Sequence, residues 1–219
     1  MTTLLFVGGV KPLPPENRPS GIAKTRRFEP LWLDVEGIAG DQQADRRVHG
    51  GPDKALHQFP PDHYPRLAAA FPEAAATLCP GSLGENLSVP AWDESTVCIG
   101  DVFVLGDARI QVSQPRSPCW KIDARQGVSG MARWIVEHGT TGWYFRVLEA
   151  GQIEDGCRFE LLERPAPAAT LARLWQARHG MGDVASDPAT LRQLADAPGL
   201  VPAWRKALLE RLAWREQQA

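Results

Sequence analysis

From residue 1 to about residue 163 the chain never runs far without meeting a glycine, proline, aspartate or asparagine. That punctuation confines it to short strands. Thr2–Val7 reads as a strand. Leu31–Val35 is another, ending in the turn-like run Gly37-Ile38-Ala39-Gly40-Asp41. Leu87–Val89, Thr96–Ile99, Val102–Leu105 and Ala108–Val112 follow, with Gly106-Asp107 as a tight hairpin turn between the last two. Tyr144–Leu148 and Arg158–Leu162 form a late pair, joined by residues 149–156 in one or two turns. Helices are few in this region. One is expected over Asp62–Phe71 and another over Ser129–His138, with Ser129 as N-cap and Gly139 as the stop. So many short strands at this spacing call for a mainly β fold, a barrel or a sandwich.

The pattern changes after residue 163. Arg164-Pro165-Ala166-Pro167 makes a stiff linker. Thr170–His179 then repeats apolar residues at helical spacing and ends at Gly180. Pro188 opens a second helix through Leu194. Pro202 opens a third, whose apolar residues are Trp204, Leu208, Leu212 and Trp214. Two regions are therefore expected, a β-rich one over 1–163 and an all-α one over 164–219. Three short helices bury too little surface to stand alone. They are expected to pack on the β region or on a second copy of the chain, as in a homodimer.

Composition excludes several classes. A formal net charge of −2 speaks against a nucleic-acid-binding surface. No apolar run approaches the roughly 18 residues of a membrane span. The start of the chain lacks the basic region and cleavage site of a secretory signal. Cys79, Cys98, Cys119 and Cys157 lie far apart, with no paired zinc-like spacing and no ferredoxin-type cluster pattern. A reducing, cytoplasmic setting is the expectation.

Chemistry concentrates in two segments. In Ser113-Gln114-Pro115-Arg116-Ser117-Pro118-Cys119-Trp120-Lys121 the prolines hold a thiol at the end of a stiff loop. Neighbouring cations such as Arg116 and Lys121 favour the thiolate, which serves as a nucleophile or a soft metal ligand. A buried, inert thiol is the plain alternative. The second segment, Gly40–Phe59, is dense in charge and glycine. Gly50-Gly51 lets backbone N–H groups approach an anion, with Arg46, Arg47 and Lys54 supplying positive charge. His49 and His57 are expected to transfer protons near neutral pH. The alternative is a solvated surface loop. The spacing of His49, His57 and His63 matches no common zinc template. Lys24, among the small residues of Ser20-Gly21-Ile22-Ala23, is a further anion-site hint, and Glu85 reads as a structural carboxylate or a base.

Asp45–Phe59 (DRRVHGGPDKALHQF), Gly84–Leu87 (GENL), Gly100-Asp101 and, above all, SQPRSPCWK resemble the MOSC domain, the C-terminal domain type of molybdenum cofactor sulfurases. The closest resemblance is to the YiiM-like branch, which carries a three-helix domain after the MOSC core, and it spans nearly the whole chain. The resemblance implies a MOSC-type β-barrel that binds molybdenum cofactor, with Cys119 as protein ligand to molybdenum. It also implies reduction of N-hydroxylated compounds, such as N-hydroxylated purine bases, to the amino forms. Lys24, Arg46, Arg47, Gly50, Gly51, Lys54, Asn86 and Arg116 are then candidates for cofactor binding. His57 and His49 are candidates for proton delivery, and Trp120, Trp143 or Tyr144 for stacking or core packing. The sequence shows no flavin, haem or iron–sulfur motif, so a separate electron-donating reductase is expected. Two rivals stand beside this reading. One is a non-catalytic carrier of cofactor or sulfur. The other is metal-free Cys–His chemistry.

Overall fold

The computed structural model describes residues 3–217; Met1, Thr2, Gln218 and Ala219, at the ends of the two expected regions, lie outside them. In chain order the strands are β1 (Leu4–Val7), β2 (Lys11–Leu13), β3 (Arg18–Ser20), β4 (Thr25–Arg26), β5 (Leu31–Asp34), β6 (Gly37–Ile38), β7 (Leu56–Gln58), β8 (Leu87–Ser88), β9 (Val102–Leu105), β10 (Ala108–Pro115), β11 (Trp143–Glu149), β12 (Gly151–Ile153) and β13 (Phe159–Glu163). The helices are α1 (Arg46–His49), α2 (Tyr64–Ala70), α3 (Lys121–Gln126), α4 (Met131–His138), α5 (Leu171–His179), α6 (Pro188–Ala195) and α7 (Pro202–Glu216).

Eight strands form one mixed sheet in the order β13-β9-β10-β11-β7-β8-β1-β4. Only the short β7–β8 pair is parallel among the described ladders. The sheet curls so that residues flanking its outer strands come within hydrogen-bonding reach of each other. Gly156 N, just before β13, donates to Thr3 O at 2.7 Å, and Thr3 Oγ1 donates to Cys157 O at 2.9 Å. Asp155 accepts from Leu5 N and pairs with Arg26 of β4. The barrel is thus realised as a half-barrel, crossed by the smaller sheet β12-β5-β6.

Alternation explains the central hairpin. Along β10, Ala108, Ile110 and Val112 are buried while Arg109 and Gln111 are half-buried. A register shift between Val112 and Gln114 then breaks the alternation against β11. From Ser113 to Pro115 every residue is buried. A bulge of this kind bends a strand and re-aims its side chains; here it directs the chain toward Arg116 and Cys119. Beneath it, Phe103 stacks on Phe159 at 4.6 Å, and Phe145 packs on both rings.

The three late helices form as the sequence suggests. The Thr170 side chain caps α5 and Gly180 ends it in left-handed geometry. Asp187 caps α6, with proline in its first turn, and α7 likewise opens on proline. Their apolar faces, including Leu174, Trp175, Leu194, Trp204 and Leu208, join the same core as the large sheet. A second core, containing Ile22, Phe59, Tyr64, Leu83, Ile122 and Met131, lies under α2, α3 and α4.

Several expectations are corrected. Thr96–Ile99 is a turn with one isolated bridge, Cys98 to Thr170, rather than a strand. The connection expected over 149–156 as turns contains β12, paired with β5. Gly37-Ile38 is a strand that pairs back on β5. Ser129 does not cap α4. Gly130 holds the N-cap position, and the Asp123 carboxylate accepts from Gly130 N at 2.8 Å and Ala132 N at 2.7 Å. No helix among the described residues is long and apolar enough to cross a membrane.

The buried Asp101 carboxylate fastens the tail to the sheet. It accepts from Cys98 N at 2.9 Å and receives both Nε and Nη2 of Arg164, at 3.0 and 2.7 Å. Asp101→Ala is expected to cost about 3 kcal/mol, the low end for breaking a buried pair, because Arg164 is partly exposed and can turn to water. Urea unfolding should show a lower midpoint with an unchanged slope.

Candidate functional site

Both chemistry-bearing segments of the sequence meet at one open cavity. Its wall includes Lys24, Asp41, His49, Lys54, His57, Asn86, Arg116, Cys119, Lys121 and Tyr144. The bulged end of β10 delivers Arg116, whose N donates to Gly142 O at 3.0 Å. Cys119 follows at the entry to α3, its carbonyl accepting from Ile122 N at 3.0 Å. The half-buried thiol lies 3.6 Å from His49 Nε2, across from the end of α1.

Positive charge dominates the wall. Lys24 is paired with Asp41, and both side chains are nearly buried. Arg116 is 6% exposed; its Nη2 donates to Leu83 O at 3.2 Å and its Nη1 has no partner. Lys54 Nζ donates to Val48 O at 2.6 Å and lies 5.8 Å from the Tyr144 ring centre. Burial lowers the pKa of His49 from the usual 6.5 to about 4, helped by Lys121, Arg116 and Lys54. Burial likewise holds His57 well below the ordinary histidine range, with Arg116 and Lys24 adding to the effect. Both shifts favour the neutral imidazole in the ligand-free cavity.

Three buried polar atoms around the cavity lack a protein partner: His49 Nδ1, His57 Nε2 and Arg116 Nη1. Buried polar groups are rarely left so. Clustered beside a thiol and several cations, they fit an anionic, metal-bearing ligand held through sulfur. Gly142 lets the chain entering β11 pack closely on β7: its φ is +68°, and a side chain there would meet Gln58 O at 2.3 Å and His57 Nε2 at 3.1 Å.

The remaining expected residues are placed as follows. Asn86 lines the cavity, but its amide is used by the protein. Oδ1 accepts from His57 N at 3.2 Å, and Nδ2 donates to Phe6 O at 3.2 Å and Asp41 Oδ2 at 3.0 Å. Arg46 and Arg47 do not reach the cavity; they pair with Glu36 and Asp45 on the outside. Gly50 and Gly51 are also absent from its wall. Gly51, with φ +92° and ψ 168°, turns the chain from α1 into Pro52–Lys54, a conformation essentially restricted to glycine. Glu85 is structural: fully buried, it accepts from Tyr64 OH at 2.5 Å, Gly81 N at 2.6 Å and Leu83 N at 3.2 Å. His63 lies apart, bonded to Glu94 at 2.8 Å, and no group of three or more metal-binding side chains occurs among the described residues. Trp120 is exposed and Trp143 is fully buried in the core, while Tyr144 faces the cavity. Asp41, Gln42 and Gln43 were read only as part of a polar loop. No local signal marks them, because their place at the cavity comes from contacts with Gly8, Val10 and Lys24.

A MOSC domain model matches residues 45–160, and a model described as YiiM-like, 3-alpha helix domain matches residues 170–214. The chain is 37% identical to Protein YiiM of Escherichia coli, over 90% of this chain and 86% of that protein. It is 38% identical to a protein of Gibberella moniliformis named Reductase, over 68% of this chain and 26% of that protein. The crystal structure of YiiM from Escherichia coli superimposes with a TM-score of 0.79 and 30% identity, over 100% of this chain and 94% of that one.

The lowered histidines set a pH dependence for the ligand-free protein. Above about pH 6.5 both folded and unfolded chains hold these imidazoles neutral. Below that value the unfolded chain takes up protons while folded His57, and His49 down to about pH 4, resist. Stability should therefore fall as pH drops from about 6.5 toward 4. Thermal melts across that window should show it, with a shallower fall in His57→Gln.

Proposed function

The chain belongs to the MOSC-domain family and carries the YiiM-like three-helix domain. From that premise we propose that it is a molybdenum-cofactor-dependent oxidoreductase that reduces N-hydroxylated compounds, such as N-hydroxylated purine bases, to their amino forms. One observation carries the reading: a half-buried thiol, Cys119, shares a cavity wall with unpartnered Arg116 Nη1, His57 Nε2 and His49 Nδ1. The fungal relative named Reductase supports the oxidoreductase class.

In this reading Cys119 Sγ is the protein ligand to molybdenum, a soft donor suited to it. Arg116, Lys54 and Lys121 form the cationic wall that an anionic cofactor phosphate requires, with Lys24 held beside them by Asp41. When bound, the cofactor supplies the two-electron redox chemistry; the protein holds and orients it. Arg116 Nη1 and His57 Nε2 offer fixed hydrogen-bonding atoms at the buried end of the cavity. Tyr144, 5.3 Å from the His57 ring, gives a flat substrate or the pterin an aromatic wall. Electrons reach the site from a separate reductase, because the sequence carries no flavin, haem or iron–sulfur motif. Purified protein with NAD(P)H alone should then give no turnover.

The 3.6 Å approach of Cys119 Sγ to His49 Nε2 favours a second reading, metal-free thiol–imidazole chemistry. Elemental mass spectrometry separates the two. Protein purified from a host that makes molybdenum cofactor should hold near-stoichiometric molybdenum, and Cys119→Ser should lose it. If wild type carries neither molybdenum nor pterin but Cys119 is rapidly alkylated, the second reading stands instead.

A further inference from the structure

The outer side of α7 carries a pattern that packing within the chain does not use. Trp204, Leu208 and Leu212 face the core, while Pro202, Lys206, Leu209, Ala213 and Glu216 recur every three or four residues and are all exposed. Residues at that spacing share one side of a helix, so these five form a single stripe. Leu209 is its one large apolar residue and is 40% exposed. A shallow hollow lined by Pro202, Arg205, Lys206, Leu209, Glu210 and Ala213 lies around it. We propose that this stripe is the interface of a homodimer, in which α7 of one copy packs antiparallel on α7 of a second.

Symmetry selects a second copy of the chain as the occupant. A two-fold axis sets a patch against itself, so residues equally far from the axis on opposite sides meet. An axis at the level of Arg211 places Lys206 against Glu216 of the partner subunit, and Leu209 against Ala213 of the partner subunit. Each contact then occurs twice. The ionic and the apolar pairing are chemically independent, yet both require the same axis. A parallel arrangement would instead set lysine on lysine and glutamate on glutamate, so the charges also fix the direction. A small residue opposite a large one lets two helices approach closely, and the hollow beside Leu209 gives the opposing leucine a place to sit.

Within one chain Lys206 lies 3.8 Å from Glu210, and Glu216 accepts from Arg192 at 2.9 Å. Both pairs are exposed, and an ammonium or a carboxylate has capacity for further partners. Exposed ion pairs add little energy. The charges therefore set direction and register, while burial of Leu209 and the flanking side-chain stems drives association. Trp214 is also exposed but stands outside the stripe, with the Arg215 guanidinium 5.2 Å from its ring centre. One helix laid on one helix buries less than about 1,200 Å², the range of weak, reversible interfaces. The dimer should accordingly dissociate on dilution.

Sedimentation of the full-length protein at low salt, from about 1 μM to 1 mM, tests this, with melting curves as the check on folding. Wild type should pass from monomer to dimer across the series. Leu209→Asp should stay monomeric with an unchanged Tm, and Leu209→Gln, a good helix former, repeats that arm should the aspartate variant melt early. Lys206→Glu and Glu216→Lys should each weaken self-association about tenfold or more, because each homodimer then holds two like-charge pairs. Mixed in equal amounts, the two charge variants should recover the wild-type dimer, since both pairs across the mixed interface are again opposite in sign. Wild type that stays monomeric over the whole range overturns the proposal and leaves the stripe to another partner or to solvent. A dimer that survives both Leu209 variants overturns it by placing the interface elsewhere, as does failure of the mixed charge variants to recover association.

Discussion

A single buried carboxylate, Asp41, holds the floor of the cavity together. It accepts from Gly8 N at 2.9 Å, Gln43 Nε2 at 3.1 Å and Asn86 Nδ2 at 3.0 Å, and it pairs with Lys24. These donors arrive from the end of β1, the approach to β4, the start of β8 and the loop before α1. Asn86 extends the bracket to His57 N and Phe6 O. A buried ion pair is seldom a net gain over apolar packing, but removing one partner strands the other at high cost. The network therefore fixes the relative positions of these segments more than it adds stability.

That arrangement has an electrostatic consequence. Asp41 neutralises Lys24, yet Asp41 is the only carboxylate on the described cavity wall, while Lys54, Arg116 and Lys121 remain uncompensated there. Their field, added to burial, drives the histidines to the neutral form. A site so biased welcomes an anion and keeps imidazole nitrogens available as acceptors or ligand contacts.

Local signals were legible, and long-range ones were not. Thr170, Gly180, Pro188 and Pro202 mark helix ends because caps and breakers act within one turn. The MOSC-like segments, and with them Cys119 and His49, stood out for the same reason: the motif lies in neighbouring residues. β12 did not, since the three residues Gly151–Ile153 become a strand only through β5, more than a hundred positions earlier. Arg46 and Arg47 looked equivalent to His49 in the sequence. On the four-residue helix α1, Arg47 lies two positions from His49 and so faces elsewhere, pairing with Asp45, while Arg46, three positions from His49, is drawn outward by Glu36. Burial of His57 and the four-donor environment of Asp41 depend on tertiary contacts that no spacing reveals.

The helical tail belongs to this same account. Arg146 of β11 donates through Nε to Asp53 at 2.7 Å and through Nη1 to Gln111 Oε1 at 2.7 Å and Gly199 O at 2.8 Å. Gly199 lies in the loop between α6 and α7, and Asp53 directly precedes Lys54. Ser113 Oγ donates to Asp53 O at 2.6 Å from the bulge of β10, while Ser113 O accepts Val201 N from the tail. One guanidinium, with donors fixed in a planar fork, reaches acceptors on the sheet, the cavity turn and the tail at once; a lysine offers no such geometry. The tail thus braces the turn that presents Lys54. Its three helices cover the sheet and also hold one wall of the cavity in place, which accounts for a helical appendage packed against the far side of a β-rich site.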